Sequence, residues 1–141
     1  MIKALPLSTL STTYTCQSGC LRSSGVLTMS FINTLSAAQL RGTLKSELRR
    51  YTAPSLLILD EVGYLPSDQR GSDLLFQVIS ARYERGSIVL TTNKAFKQWP
   101  SIFNNDAGIA SAILDRLLHR AETVVIEGKS YRMKDQVEPP N

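Results

Sequence analysis

The chain is poor in the residues that build metal centres and disulfide frameworks. It has two cysteines, Cys16 and Cys20, and one histidine, His119. That is too small a set for an ordinary structural zinc site. Two cysteines also make no disulfide scaffold, so free thiols in a cytoplasmic protein are the expectation. No apolar run approaches the roughly 18 residues that a membrane-spanning helix needs. The opening Met1-Ile2-Lys3-Ala4-Leu5-Pro6-Leu7 is broken at once by Ser8 and Thr9, so no secretion signal is read there. What is present, 43% hydrophobic and 20% charged residues in a chain of 141, fits one globular domain able to bury a core.

Acidic residues are nearly absent from the first part of the chain. Residues 1–50 hold six Lys/Arg against a single Glu, whereas 51–141 hold ten Lys/Arg against eleven acids. The net charge of +4 therefore belongs to the first part. Such a surplus permits contact with nucleic-acid phosphates without requiring it.

Helical periodicity is missing from 1–25, which is rich in Ser and Thr. This lead is expected to be disordered, with some strand propensity over Leu5–Thr15. Val26-Leu27-Thr28 reads as the end of a short strand. A helix is expected from about Ser30, with Phe31, Ile32, Leu35 and Ala38 on one side. Gly42 interrupts it. Leu40, Leu44 and Leu48 then recur every fourth residue, and Arg41, Lys45 and Arg49 make a basic stripe one position over. A solvated helix flank and a DNA-phosphate surface explain that stripe equally well.

The stretch Leu56-Leu57-Ile58-Leu59-Asp60-Glu61 organises the rest. Four aliphatic residues after Pro54 read as a strand buried on both faces. Its two terminal acids stand where open α/β sheets place their ligands. There one carboxylate can hold Mg²⁺ and the next can orient a water, as phosphoryl transfer requires. The ordinary explanation, a buried strand ending in a solvated turn, fits the hexapeptide less well.

Beyond a loop over Gly63–Asp68, Ser72 is read as the N-cap of a helix carrying Leu74, Leu75, Val78, Ile79 and Tyr83, which Gly86 ends. Ser87–Asn93 is a second buried strand with a polar tip. Strand, helix and strand in this order make a βαβ crossover, so the two strands are expected to be parallel. Phe96, Trp99, Ile102 and Phe103 lack interleaved basic residues and read as core anchors, not as a base-stacking platform. Asp106 caps a helix with Ile109, Ala110, Ile113, Leu114, Leu117 and Leu118 on a wide apolar face. Thr123–Ile126 is read as a third strand, and the end from Glu138 as frayed.

The ordered blocks Leu56–Glu61, Gly63-Tyr64-Leu65-Pro66, Asp73–Gln77, Arg82–Ser87, Thr91-Thr92-Asn93, Ile113–Leu118 and Glu127–Arg132 closely resemble the IstB-like ATPases, transposition helper proteins of bacterial insertion sequences. That family is similar to the helicase loaders and belongs to the AAA+ class of P-loop NTPases. The resemblance runs from about Val26 to Gln136. It implies an α/β fold, a three-layer P-loop NTPase (AAA+) type parallel sheet flanked by helices. It divides the chain into an unmatched lead 1–25, a partial ATPase domain 26–136 and a tail 137–141.

The roles it implies attach to single residues. Asp60 matches the acid that helps to hold the Mg²⁺ of ATP. Glu61 matches the acid that orients the attacking water. Asn93 matches the sensor that hydrogen-bonds the water or the γ-phosphate. Arg116 matches the arginine finger that one subunit offers to its neighbour's nucleotide, with Arg120 as its rival and Arg132 near the phosphates. Outside the resemblance, Asn93 is a turn residue and Arg116 a helix ion-pair partner. The implied cofactors are ATP and Mg²⁺. The implied partners are DNA bound without sequence preference, the element's transposase and neighbouring subunits.

One expected motif is missing from the 141 residues. Nowhere does Gly-x-x-x-x-Gly-Lys-Ser/Thr occur, the loop whose backbone N–H groups and Lys cradle phosphates. Gly128-Lys129-Ser130 fails because Thr123 stands where the first Gly must be. The chain is accordingly read as an amino-terminally truncated copy that lacks the central strand feeding that loop. In AAA+ sheets that strand lies between those matching Ser87–Thr92 and Thr123–Ile126. Three outcomes follow: the flanking strands close up, Leu5–Thr15 fills the gap, or the chain is unstable alone.

Three functions remain open at this point. The first is an ATP-binding transposition helper with weak or no hydrolysis. The second is a non-catalytic remnant with only a subunit- or DNA-interaction surface. The third is a metal-dependent nuclease, disfavoured because no further acids stand at the other strand ends. ATP hydrolysis by this chain is expected at background. Turnover above background that Glu61→Gln abolishes would contradict that expectation.

Overall fold

The computed structural model describes the backbone of residues 12–15 and 22–126, and the side chains of 24–126. Four strands form one sheet in the order β1-β2-β3-β4. They are β1 (Thr12–Thr15), β2 (Arg22–Leu27), β3 (Leu56–Val62) and β4 (Ser87–Thr92). β2, β3 and β4 run parallel, and β1 is antiparallel to β2. The helices are α1 (Thr28–Leu40), α2 (Leu44–Thr52), α3 (Gln69–Arg82), α4 (Trp99–Ile102) and α5 (Ala107–Leu118). The β3-α3-β4 crossover joins parallel strands, as the sequence pattern predicts.

The sheet reaches into the segment read as a disordered lead, since β1 and most of β2 fall within 1–25. β1 does not fill a gap beside β4. It sits at the opposite edge, and among the described residues β4 pairs with β3 alone. Thr123–Ile126 forms no strand, and Val124, Val125 and Ile126 are 76–77% exposed. A strand needs a ladder partner, and none lies beside this segment among the described residues.

Period-two alternation orients the sheet. Ser24, Val26, Leu57 and Leu59 are buried, and Ile88 and Leu90 pack against the same core. Ile58 pairs with Val89 on the other face, where Val89 is exposed. So β3 and β4 are not buried on both faces as their apolar runs suggest. The described residues form two of the expected layers, the sheet and one layer of helices. In that layer α3 packs between α1 and α5. Phe31, Ile32 and Leu35 of α1, Leu74, Leu75, Val78 and Ile79 of α3, and Ala110 and Ile113 of α5 meet over the buried face. Each large aliphatic among them contributes about 1.5–3 kcal/mol by leaving water. Trp99, Ile102 and Phe103 close one end as core anchors, while Phe96 stays at the margin.

Helix ends depart from the sequence reading in instructive ways. α1 stops at Leu40 because Gly42 takes φ +72°. Gly42 N–H then bonds Gln39 O and Thr43 N–H bonds Ala38 O, the paired closure of a Schellman motif. The turn changes the helical phase, and Leu40 ends 77% exposed, not in line with Leu44 and Leu48. α3 is capped by Asp68, whose carboxylate accepts Gly71 N–H at 2.8 Å. Ser72 lies inside the first turn, donating its hydroxyl back to Asp68 O. Asp106 caps α5 as expected, accepting Ile109 N–H.

Gly86 does not terminate α3, which ends four residues earlier. Its role is spatial: a Cβ there would lie 2.7 Å from Arg82 Nη2. Arg82 is 1% exposed and faces no carboxylate among the described residues. Its Nη1 donates to Tyr51 O and Pro54 O, both at 2.8 Å. Its Nη2 donates to Ser55 O at 3.2 Å and Ser87 O at 2.8 Å. Burial lowers its pKa from the ordinary arginine value, but the carbonyl dipoles favour the charged fork and arginine stays protonated.

Arg82→Met removes this fork and orphans buried carbonyls. It is expected to cost about 3 kcal/mol or more. Urea denaturation followed by circular dichroism measures this, and a loss below about 1 kcal/mol would contradict the assignment.

Candidate functional site

The tip of β3 is not a regular strand end. Pairing with β4 is continuous from Leu56 to Leu59 and resumes only at Val62↔Thr92. The slipped residues are Asp60 and Glu61. Glu61 has φ +59°, a left-handed backbone uncommon for a residue with a Cβ, and Gly63 follows at φ +85°. A bulge of this kind bends the strand and re-aims its side chains.

Asp60 shares its face with Thr91, opposite the helices. The Thr91 hydroxyl donates to Asp60 Oδ1 and accepts Glu61 N–H at 2.9 Å. From the other side, Thr28 at the start of α1 donates its hydroxyl to Asp60 O at 2.8 Å. Thr92 donates to Val62 O at 2.7 Å and accepts Lys94 N–H at 3.1 Å. Three threonines therefore hold the strand tips. The sequence reading missed them; the polar pair Thr91-Thr92 ending an apolar strand was the available signal. Neither acid forms an ion pair among the described residues.

Asn93 follows β4 directly and is exposed at the same end of the sheet as the acids. Arg116 is not brought to them. Its Nη1 donates to Ala112 O at 2.9 Å, and its guanidinium lies 4.8 Å from the Phe76 ring centre. It belongs to the α3–α5 layer, across the sheet from the Asp60 carboxylate. It stacks on an aromatic ring, not on the acid that an isolated helix would suggest. Arg120 approaches Glu84 at 3.7 Å, an exposed contact of little energetic weight. Gly128-Lys129-Ser130 and Arg132 lie outside the described residues.

The Asp60 carboxylate, braced by a hydroxyl, is the kind of oxygen donor that suits a hard cation. Among the described residues no cluster of three or more His, Cys, Asp or Glu could hold a metal by itself. A Mg²⁺ ion here needs water and phosphate oxygens to complete its shell, which fits an ion carried in with a nucleotide.

Parallel strands in this order, tandem acids on a bulge and a polar tip on the next strand define an AAA+ type α/β domain. In agreement, the fold matches AMPPCP-bound DnaA from Aquifex aeolicus with a TM-score of 0.57 at 18% identity, over 66% of this chain and 29% of that one. DnaA bound to AMPPCP and single-stranded DNA matches equally well, over 28% of its chain.

Residues 13–139 match the family of IstB-like ATP binding proteins, and the chain belongs to that family. It is 47% identical over 110 residues to the insertion sequence IS232 putative ATP-binding protein of Bacillus thuringiensis, covering 78% of this chain and 44% of that protein. It is 44% identical over 105 residues to the IS21 counterpart of Pseudomonas aeruginosa, covering 74% and 39%. The chain thus spans about two fifths of the length of these relatives. The family match begins at residue 13 and takes in β1 from Thr13 and all of β2.

Gly63 tests the bulge directly. A Cβ there would overlap Ile102 Cδ1 and lie 2.9 Å from Ile102 Cγ1. Gly63→Ala adds this clash to an unfavourable positive φ and is expected to destabilise by about 2 kcal/mol or more. An unchanged melting temperature would show that the strand tip relaxes freely.

Proposed function

We propose that this chain supplies the metal- and water-facing side of the ATP site of an insertion-sequence transposition helper. The supporting observation is the bulged tip of β3, where Thr91 braces the Asp60 carboxylate and Glu61 follows in the break of register, at the end of the sheet where Asn93 follows β4. Asp60 holds the Mg²⁺ that accompanies ATP. Glu61 accepts a hydrogen bond from the attacking water and orients it. Asn93 donates to that water or to the γ-phosphate. The ion neutralises charge on the phosphates when it is bound.

Arg116 acts between subunits. Within one chain it lies in the helical layer, away from its own acids, so any nucleotide that it serves belongs to a neighbour. Its charge is kept accessible by stacking on Phe76 in place of pairing with an acid. DNA and the element's transposase are the remaining partners, in the cytoplasm. Arg41, Lys45 and Arg49 are all exposed and fit sequence-independent phosphate contact. No helix of the described residues is long and apolar enough to cross a membrane.

The position of Arg116 also favours a second reading, a non-catalytic remnant that retains the subunit- or DNA-interaction surface. Equilibrium binding of a fluorescent ATP analogue with Mg²⁺ separates the two. The site reading expects saturable, Mg²⁺-dependent binding that Asp60→Ala abolishes. A folded chain with no Mg²⁺-dependent binding leaves only the interaction surface.

A further inference from the structure

The left-handed backbone at Glu61 needs a cause, because for a residue with a Cβ it costs on the order of 1 kcal/mol or more. The β3–β4 ladder does not provide one, since its register is broken between Leu59 and Val62. Of the three threonines at the strand tips, one bonds both slipped residues. Thr91 accepts Glu61 N–H while donating to the Asp60 carboxylate. A hydroxyl has one proton and two lone pairs, so both bonds are available to it at once. Donation to a carboxylate also polarises the oxygen that accepts the amide.

We propose that Thr91 is the positioning residue of the acid pair: its hydroxyl locks the bulge and engages Asp60 Oδ1, which leaves Oδ2 as a single ligand for the divalent cation of a nucleoside triphosphate. The metal part rests on the reading of Asp60 and Glu61 given above; the locking of the bulge does not. Valine at this position has the same shape and β-branching but can make neither bond. Serine can make both. Thr91 is itself exposed on the sheet face, so exchange to valine removes the two bonds without opening a cavity.

The test uses the full chain as wild type, Thr91→Val, Thr91→Ser and Asp60→Asn. Glu61 amide hydrogen exchange is followed by NMR, and Mn²⁺ binding in the presence of ATP by electron paramagnetic resonance. Thr91→Val is expected to speed Glu61 exchange and to weaken Mn²⁺ binding, each by about tenfold, the equivalent of one hydrogen bond. Thr91→Ser is expected to stay near wild type in both. Glu61 exchange unchanged in Thr91→Val overturns the lock, whatever the metal does. Released exchange with wild-type Mn²⁺ affinity, while Asp60→Asn loses the ion, overturns the positioning role. Absence of Mn²⁺ binding by the wild type overturns the metal reading, and the exchange comparison still decides whether Thr91 holds the bulge.

Discussion

Arg82 sits where four parts of the chain must meet. The end of α2, the link before β3, the end of α3 and the start of β4 each place a carbonyl or the guanidinium itself at one buried point. Carbonyl groups at the end of a helix lack an intrahelical partner, and buried ones must be satisfied. Arginine answers this with a rigid planar fork that no other side chain has. Gly86 is small because that fork fills its space. With the entry ends of β3 and β4 pinned side by side, their parallel register follows from Leu56↔Ser87 onward.

At the opposite end of the same strands the register is deliberately lost. The pinned entry and the slipped exit are complementary: a strand pair held firmly at one end can carry strain at the other. At this exit the backbone turns left-handed at Glu61 and again at Gly63. Thr28, Thr91 and Thr92 satisfy the groups that the broken ladder frees. Thr91 in addition holds the Asp60 carboxylate. The helices lie on the face opposite the Asp60 carboxylate and its Thr91 partner.

Much of this was legible from residue order. Leu56–Glu61 announced both the strand and the acids, because a short apolar run ending in charge has few other structural meanings. The parallel crossover followed from spacing, and Asp106 from its place before an apolar helical face. Other residues misled. Ser72 is a good capping type, but Asp68 was already positioned to accept Gly71 N–H. Leu40 kept the right spacing across a glycine that resets the helical phase. Thr123–Ile126 has the composition of a strand, yet composition cannot supply a neighbour to pair with. The end of β2 was legible at Val26-Leu27, but Arg22–Gly25 lacks a strong apolar pattern, and the pairing with β3 revealed it.

The sequence by itself determined the kinds of elements, the location of the acid pair and the family, because these depend on local periodicity and on residue order. Only the tertiary structure decided which face of the sheet is covered, that Arg82 is buried among carbonyls, that Arg116 lies away from its own acids, and that Thr91 grips both acids. Each of these depends on contacts between residues about thirty or more positions apart, and a contact of that kind leaves no period in the chain for a reader to find.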